Sequence, residues 1–221
     1  MQEFAKIIST ISLSMIITSY LIIELRNLRY SAYMYMIQAV LMCTLFAIFA
    51  IENHGLYYWA MTAFVTKVVI IPWLLLRYIK KTTDREFQPL IGYLGSIFLI
   101  SAVVVILYRV THSYIGFVAP SQFATAEPFR TNLAVSLSIF FMGLYCILVR
   151  RDAIKTVHGL LILENGVHLS LVTLAPGLRE TALIGIVTDV VIAVWILLYV
   201  IYGIYQKFGS TDTLQLRGLR W

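Results

Sequence analysis

The chain has 221 residues, of which 60% are hydrophobic and only 13% charged, and its formal net charge is +6. Soluble domains average about 45–50% apolar and about 25% charged residues, so a water-soluble enzyme domain, a disordered chain and a disulfide scaffold are excluded. With a mean hydropathy of +0.85, an integral membrane protein is what remains.

A spanning helix needs about 20 mostly apolar residues to cross about 30 Å of hydrocarbon. Seven runs meet this in chain order: Ile7–Leu25, Ser31–Ile51, Leu56–Leu76, Pro89–Tyr108, Leu133–Val149, Ile154–Leu174 and Ala182–Tyr205. The start Met1–Ile7 is too polar and acidic for a cleaved signal peptide, so the first run is predicted to be retained. No period-2 alternation runs through ten-residue blocks, which argues against a barrel. The predicted fold is therefore all-α and polytopic, with about seven transmembrane helices. Cys43 and Cys146 fall inside apolar runs, where a free thiol is a small packing residue. The sequence has no metal-ligand spacing of His and Cys, no Gly-rich phosphate loop and no nucleophile elbow.

Loop charge predicts the orientation. With the N-terminus outside, twelve Lys and Arg residues lie in inside segments, four lie outside, and Lys67 is left within a span, accounting for all 17. The positive-inside rule then favours N-out and C-in. A charge spread over loops in this way is a poor footprint for nucleic acid. The long connection Val110–Thr131 falls outside and reads as an ordered loop holding His112, Pro120, Gln122, Glu127 and Pro128. The tail after Gly209 reads as a short polar segment along the cytoplasmic surface.

Phe64–Leu75 (FVTKVVIIPWLL) and Ile186–Leu197 (IVTDVVIAVWIL) share seven of twelve positions at an offset of 122 residues. Arg29 and Arg151 share that offset. Helices one to three and five to seven thus read as two parallel three-helix repeats joined by a connector helix. The implied divisions are 1–81, a connector and external loop over 82–131, a second unit over 132–208, and a tail over 209–221. Lys67 in the first copy corresponds to Asp189 in the second.

An ionisable group at the bilayer centre costs about 2.5–3.5 kcal/mol on insertion scales. From the helical rise, Lys67 lies about 16 Å deep from the outside, Glu164 about 15 Å deep from the inside, and Asp189 about 10 Å deep from the outside. The sixth span also carries His158, Asn165 and His168. Glu164 and His168 are i,i+4 neighbours, while His158, Asn165 and His168 share an adjacent face. A carboxylate and imidazoles in a row suit a proton relay, because both titrate near neutrality when desolvation raises the acid. Gln38, Thr66 and Thr188 are placed to hold water. The competing reading is a fixed buried pair, Lys67 with Glu164 or Asp189, that only sets helix packing. The remaining polar residues read as structural. Glu24 is a boundary partner of Arg26, and His54 is interfacial. Trp59, Trp73 and Trp195 are belt or packing residues. The loop Arg150–Asp152 fixes topology.

The segment RRDAIKTVHGLLILENGVHLSLV, Arg150–Val172, resembles the second helix of the small K-type subunit of respiratory complex I. Blocks along nearly the whole chain are similar to the hydrogenase-4 component E family. They are TAFVTKVVIIPW (Thr62–Trp73), LENGVHL (Leu163–Leu169), GIVTDVVIAV (Gly185–Val194) and GSTDTLQLRGL (Gly209–Leu219). The resemblance implies a multi-pass subunit of a prokaryotic plasma membrane without a reaction or cofactor of its own. It would be one part of a formate-hydrogenlyase-type group 4 nickel–iron hydrogenase. Antiporter-like membrane subunits would lie beside it, and a peripheral arm would carry the nickel–iron and iron–sulfur centres. It further implies that Glu164 and Asp189, on the helices that hold the K-type carboxylates, belong to a midplane polar axis, with Lys67, His158, His168 and Asn165 as companions. The K-type glutamate arrives about one turn earlier, where this chain has Leu161. Two alternatives stand beside this reading: a purely structural subunit of the same complex, and a subunit of a multi-component cation/proton antiporter.

Overall fold

The computed structural model describes residues 2–51, 54–82, 86–119, 126–174 and 180–215. These form α1 (Gln2–Glu24), α2 (Leu28–Phe49), α3 (Leu56–Ile79), α4 (Gly92–Ser113), a short α5 (Ile115–Val118), α6 (Phe129–Val149), α7 (Ala153–Leu174) and α8 (Glu180–Phe208). Seven of them, all but α5, are long and apolar enough to cross a membrane. The chain is an all-helical polytopic membrane protein. Among the described residues the extended pairing is a single isolated bridge between Asp152 and Asp212.

The seven helices match the seven runs, with shifted ends. The α4 helix begins at Gly92 and continues to Ser113, past Arg109, because the stacked pair Tyr108–His112 (5.6 Å) extends it beyond the apolar stretch. The α6 helix begins at Phe129. The connection predicted as a loop is therefore helical at both ends, while Pro120 and Gln122 lie outside the described residues. His112 sits 3.2 Å from Glu127.

The bundle centres on α7. In its most apolar stretch 67% of the residues are buried, against 17% in α4 and 17% in α8. The α6 and α7 helices touch backbone to backbone through Gly143, Gly159 and Gly166. A Cβ on Gly166 would lie 2.6 Å from the Phe140 nitrogen and 2.7 Å from the Ser136 oxygen. Small residues permit this approach, and close packing substitutes for the hydrophobic drive that lipid cannot supply.

The α3 helix changes pitch midway. Leu56–Ala63 and Ile71–Ile79 are α-helical, and Phe64–Ile70 between them is π-helical. Pro72 gives a physical reason. Its ring lacks an N–H and would clash with the carbonyl one α-turn earlier. A widened turn relieves that clash, and the Ile71 N–H reaches Thr66 instead. Lys67 sits in the middle of the wide segment.

At one end of the bundle four segments meet. The Glu86 N–H donates to the Arg26 carbonyl (3.0 Å), and the Leu90 N–H donates to that of Val149 (3.2 Å). Gly209, at φ +69°, ends α8 in the left-handed conformation that glycine accepts most readily. The turn sends the tail back onto the α6–α7 loop, where Ala153 N–H donates to Thr211 O (3.0 Å) and Thr213 N–H to Arg151 O (2.8 Å). The described part of the tail is thus folded onto that loop.

A buried lysine–glutamate–histidine centre

Lys67 is fully buried. Its Nζ lies 3.0 Å from Glu164 Oε1, donates to Asn165 Oδ1 at 2.8 Å and lies 3.0 Å from His168 Nδ1. His168 Nδ1 is in turn 3.0 Å from Glu164 Oε1. Three titratable atoms therefore form a triangle with equal edges of 3.0 Å. The ring nitrogen can accept from the Lys67 ammonium or donate to the Glu164 carboxylate, but not both at once. Either tautomer leaves one edge without a shared hydrogen, so the geometry accommodates two proton arrangements at no change of shape.

A polar chain holds this triangle. The Asn165 amide donates to Gln38 Oε1 at 3.2 Å, which points Asn165 Oδ1 at Lys67. The Gln38 amide donates to Ser19 Oγ at 2.5 Å and to the Met15 carbonyl at 3.3 Å. On the other side the buried Trp59 ring lies 5.5 Å from the His168 ring. Trp59 is therefore a wall of the centre and not a belt residue, because its stacking on Phe46 at 4.0 Å draws it inward. Trp73 and Trp195 stay exposed. Among the described residues, both Glu164 carboxylate oxygens, His168 Nε2, Trp59 Nε1 and the Tyr35 hydroxyl have no aligned hydrogen-bond partner within the chain, so the two edges at Glu164 Oε1 are close ion contacts. Ser19 and Tyr35 were not singled out by the sequence, since a lone Ser or Tyr in an apolar run carries no pattern.

Two predicted relay residues lie apart from the triangle. His158 is fully buried, with Nδ1 3.0 Å from the Ile154 carbonyl of its own helix. Asp189 is exposed on the outer face of α8 and makes no ion pair among the described residues. The inward stripe of that helix is Val194, Leu198 and Ile201. Glu164 and Lys67 thus pair with each other, and Asp189 faces away from both.

A second buried network closes the charged end. Arg150 bridges Glu86 Oε1 (2.6 Å) and Glu24 Oε1 (2.5 Å) and donates to Ser96 Oγ (2.9 Å). Burial works against its charge, but Glu86 and Glu24 outweigh burial and raise the guanidinium above its ordinary pKa. Glu24 is therefore the partner of Arg150, not of Arg26, whose guanidinium lies 3.9 Å above the Tyr93 ring. Lys155, in the first turn of α7, is fully buried. Its ammonium donates to the carbonyls of Ile22 (2.6 Å), Ile23 (3.0 Å) and Leu25 (2.8 Å), which caps the negative end of the α1 dipole. It also lies 3.3 Å from Glu86 Oε2. The loop Arg150–Asp152 thus joins α1, α4, α6 and α7 and does more than set topology.

Comparison with known proteins agrees with this architecture. The chain is 30% identical over 220 residues to hydrogenase-4 component E of Escherichia coli (strain K12), covering 97% of each chain, and equally to that of Shigella flexneri. The chain belongs to the hydrogenase-4 component E family. An uncharacterized protein of Mycobacterium tuberculosis is 23% identical over 156 residues, 70% of this chain and 68% of that one. Residues 132–221 match the family of NADH-ubiquinone/plastoquinone oxidoreductase chain 4L. No solved structure shows a significant match. The chain 4L match begins at Asn132, in the first turns of α6, and takes in Glu164, Asn165, His168 and Asp189. Lys67 lies outside it, so the buried centre joins the matching part of this component E chain to its N-terminal helices.

Proposed function

We propose that this chain is a membrane-arm subunit of a complex I-like nickel–iron hydrogenase of the prokaryotic plasma membrane, and that it contributes a proton-exchanging centre to the midplane polar axis. The observation that carries this reading is the Lys67–Glu164–His168 triangle. Three titratable atoms at mutual distances of 3.0 Å, held from behind by Asn165 and Gln38, can pass a proton along any edge. The buried polar atoms without protein partners around it are attachment points of the kind ordered water fills. Glu164 is the proton-accepting group, Lys67 favours its ionised form, and His168 extends the centre towards Trp59. His158 carries the path towards the charged end. Asp189, on the outer face of α8, exchanges protons with a neighbouring membrane subunit. Antiporter-like subunits adjoin this chain, and the metal centres belong to the peripheral arm. The charged end, with Arg150, Lys155 and the tail, is cytoplasmic, and the N-terminus is outside.

In the assembled complex, Glu164→Gln is expected to keep hydrogen turnover while lowering proton translocation, measured as the ratio of protons moved to hydrogen turned over in sealed vesicles. Normal coupling in this variant would overturn the role of Glu164. A purely structural subunit is the competing reading, favoured by the full engagement of the Lys67 ammonium. It requires Glu164→Gln to lower assembly, with coupling unchanged in whatever complex forms.

A further inference from the structure

Asp189 is a carboxylate inside an apolar spanning helix, and it faces outward. It is exposed and makes no hydrogen bond or ion pair among the described residues. The ring pair Tyr78–Tyr202, at 6.0 Å, sets α3 and α8 level with each other. Lys67 precedes Tyr78 by 11 residues, and Asp189 precedes Tyr202 by 13. At a rise of about 1.5 Å per residue, Asp189 therefore lies within about 3 Å of the level of Lys67. Lys67 is itself at mid-span, 11 residues after Leu56 and 12 before Ile79. A short carboxylate side chain at that depth does not reach water, and lipid tails offer it no donor. The face that carries it is continuous. Asp189, Ile192, Ile196, Tyr199, Gly203 and Gln206 follow one another at spacings of 3, 4, 3, 4 and 3 residues, and all six are exposed. They stand opposite Val194, Leu198 and Ile201, which are buried against the bundle.

We propose that this stripe of α8 is the docking face for a transmembrane helix of another subunit, and that this helix carries a basic side chain (lysine, arginine or histidinium) opposite Asp189. Docking of this kind rests on the membrane-complex reading given above, and not on proton exchange at Glu164. A stripe that repeats every 3.5 residues is what a second helix meets along its length when two helices wrap left-handedly. Ionisable groups within spans pair with one another, so the unpartnered acid selects a cation. A second copy of this chain does not supply one. Two copies in one membrane run their α8 helices parallel, so a symmetric pair sets Asp189 against Asp189. Lys207 of the same helix lies 18 residues away, at its far end. A lipid headgroup is equally misplaced, because Asp189 is level with the middle of α3 and not with its ends.

In the assembled complex, a benzophenone-bearing phenylalanine placed at Ile192 or at Ile196 should crosslink under ultraviolet light to a single subunit. Mass spectrometry of the adduct should map it to a transmembrane segment that contains a basic residue. The same group at Leu197, exposed on the flank of the stripe, should not capture that segment. Asp189→Lys should lower recovery of that subunit with the tagged chain about tenfold or more, since like charges are then opposed. Exchange of the mapped basic residue for aspartate in the same cells should restore recovery. Asp189 has no partner within the described chain, so Asp189→Lys should leave the thermal unfolding midpoint of the purified chain unchanged. A lowered midpoint without rescue by the charge exchange would make the residue structural and overturn the docking. Adducts with lipid alone, with a second copy of this chain, or with a segment that has no basic residue would also overturn it, as would full recovery of the complex with Asp189→Lys. Loss of coupling in Glu164→Gln and loss of the subunit in Asp189→Lys are separate readouts, so failure of one leaves the other in force.

Discussion

At the scale of the residue, the decisive feature is that Lys67 and Glu164 pair with each other at 3.0 Å inside the bundle. Removing one member of a buried pair leaves the other charge uncompensated, which costs about 3–5 kcal/mol in soluble proteins. Lys67→Met should therefore lower the thermal unfolding midpoint of the purified chain markedly. Lys67→Met combined with Glu164→Gln should recover most of the loss, since no bare charge remains. A double variant as unstable as the single one would mean that the pair is not coupled. Gln38→Leu is expected to cost about 1–3 kcal/mol through the stranded Asn165 amide, read in the same unfolding measurement. The rarity of charge in an apolar run made Lys67 and Glu164 legible in the sequence. Where each side chain points was not legible. Lys67 and Asp189 occupy one position of the apparent repeat, yet the first is buried and the second exposed. Direction depends on the helix face that packs, and a single charge in a uniformly apolar helix does not announce that face.

At the scale of the element, two devices set the geometry of the centre. The first is the wide segment of α3. Its cause, Pro72, stands in the sequence, but a proline can kink, break or widen a helix, and only packing selects among these. The second is the glycine-lined contact of α6 and α7, which brings the helix carrying Glu164 against its neighbour. Gly166→Ala would place a methyl group within 2.6 Å of the Phe140 nitrogen. Backbone cannot yield as a flexible side chain can, so the helices must separate, at a cost of about 1–3 kcal/mol. The unfolding midpoint of Gly166→Ala should fall by several degrees, whereas Gly185→Ala, where nothing lies within 4 Å, should leave it unchanged. Equal stability of the two variants would refute the close contact. Seven spans were legible because length and apolarity alone decide whether a helix can cross. The burial of Glu86 and Lys155 was not legible, because it is created by segments far away in the chain.

At the scale of the whole molecule, the tail ties the last helix to the loop between α6 and α7, and Asp152 is the hinge of that tie. Asp152 Oδ1 accepts from the Ile154 N–H at 2.8 Å, and Oδ2 accepts from the Thr211 hydroxyl at 2.8 Å. Burial pushes its carboxyl up to about 6, and the bonds from Thr211, Ile154 and Lys155 only partly offset that rise. An acid whose pKa is raised on docking binds its proton more tightly in the docked state. Docking is therefore most favourable below the ordinary value of 3.8, weakens as pH rises towards about 6, and is constant above that. The window can be read by a spin label at Gln215→Cys, an exposed position, because Cys43 and Cys146 are buried. Label mobility should rise between about pH 4 and pH 6 and then level off. Asp152→Asn, neutral throughout and still able to accept from Ile154, should stay immobile across that range. Asp212→Ala removes the Arg151 pair and should raise mobility at every pH without moving the transition. A transition that persists in Asp152→Asn would place the titrating group elsewhere and leave the tail held by Arg151 and the backbone bonds alone.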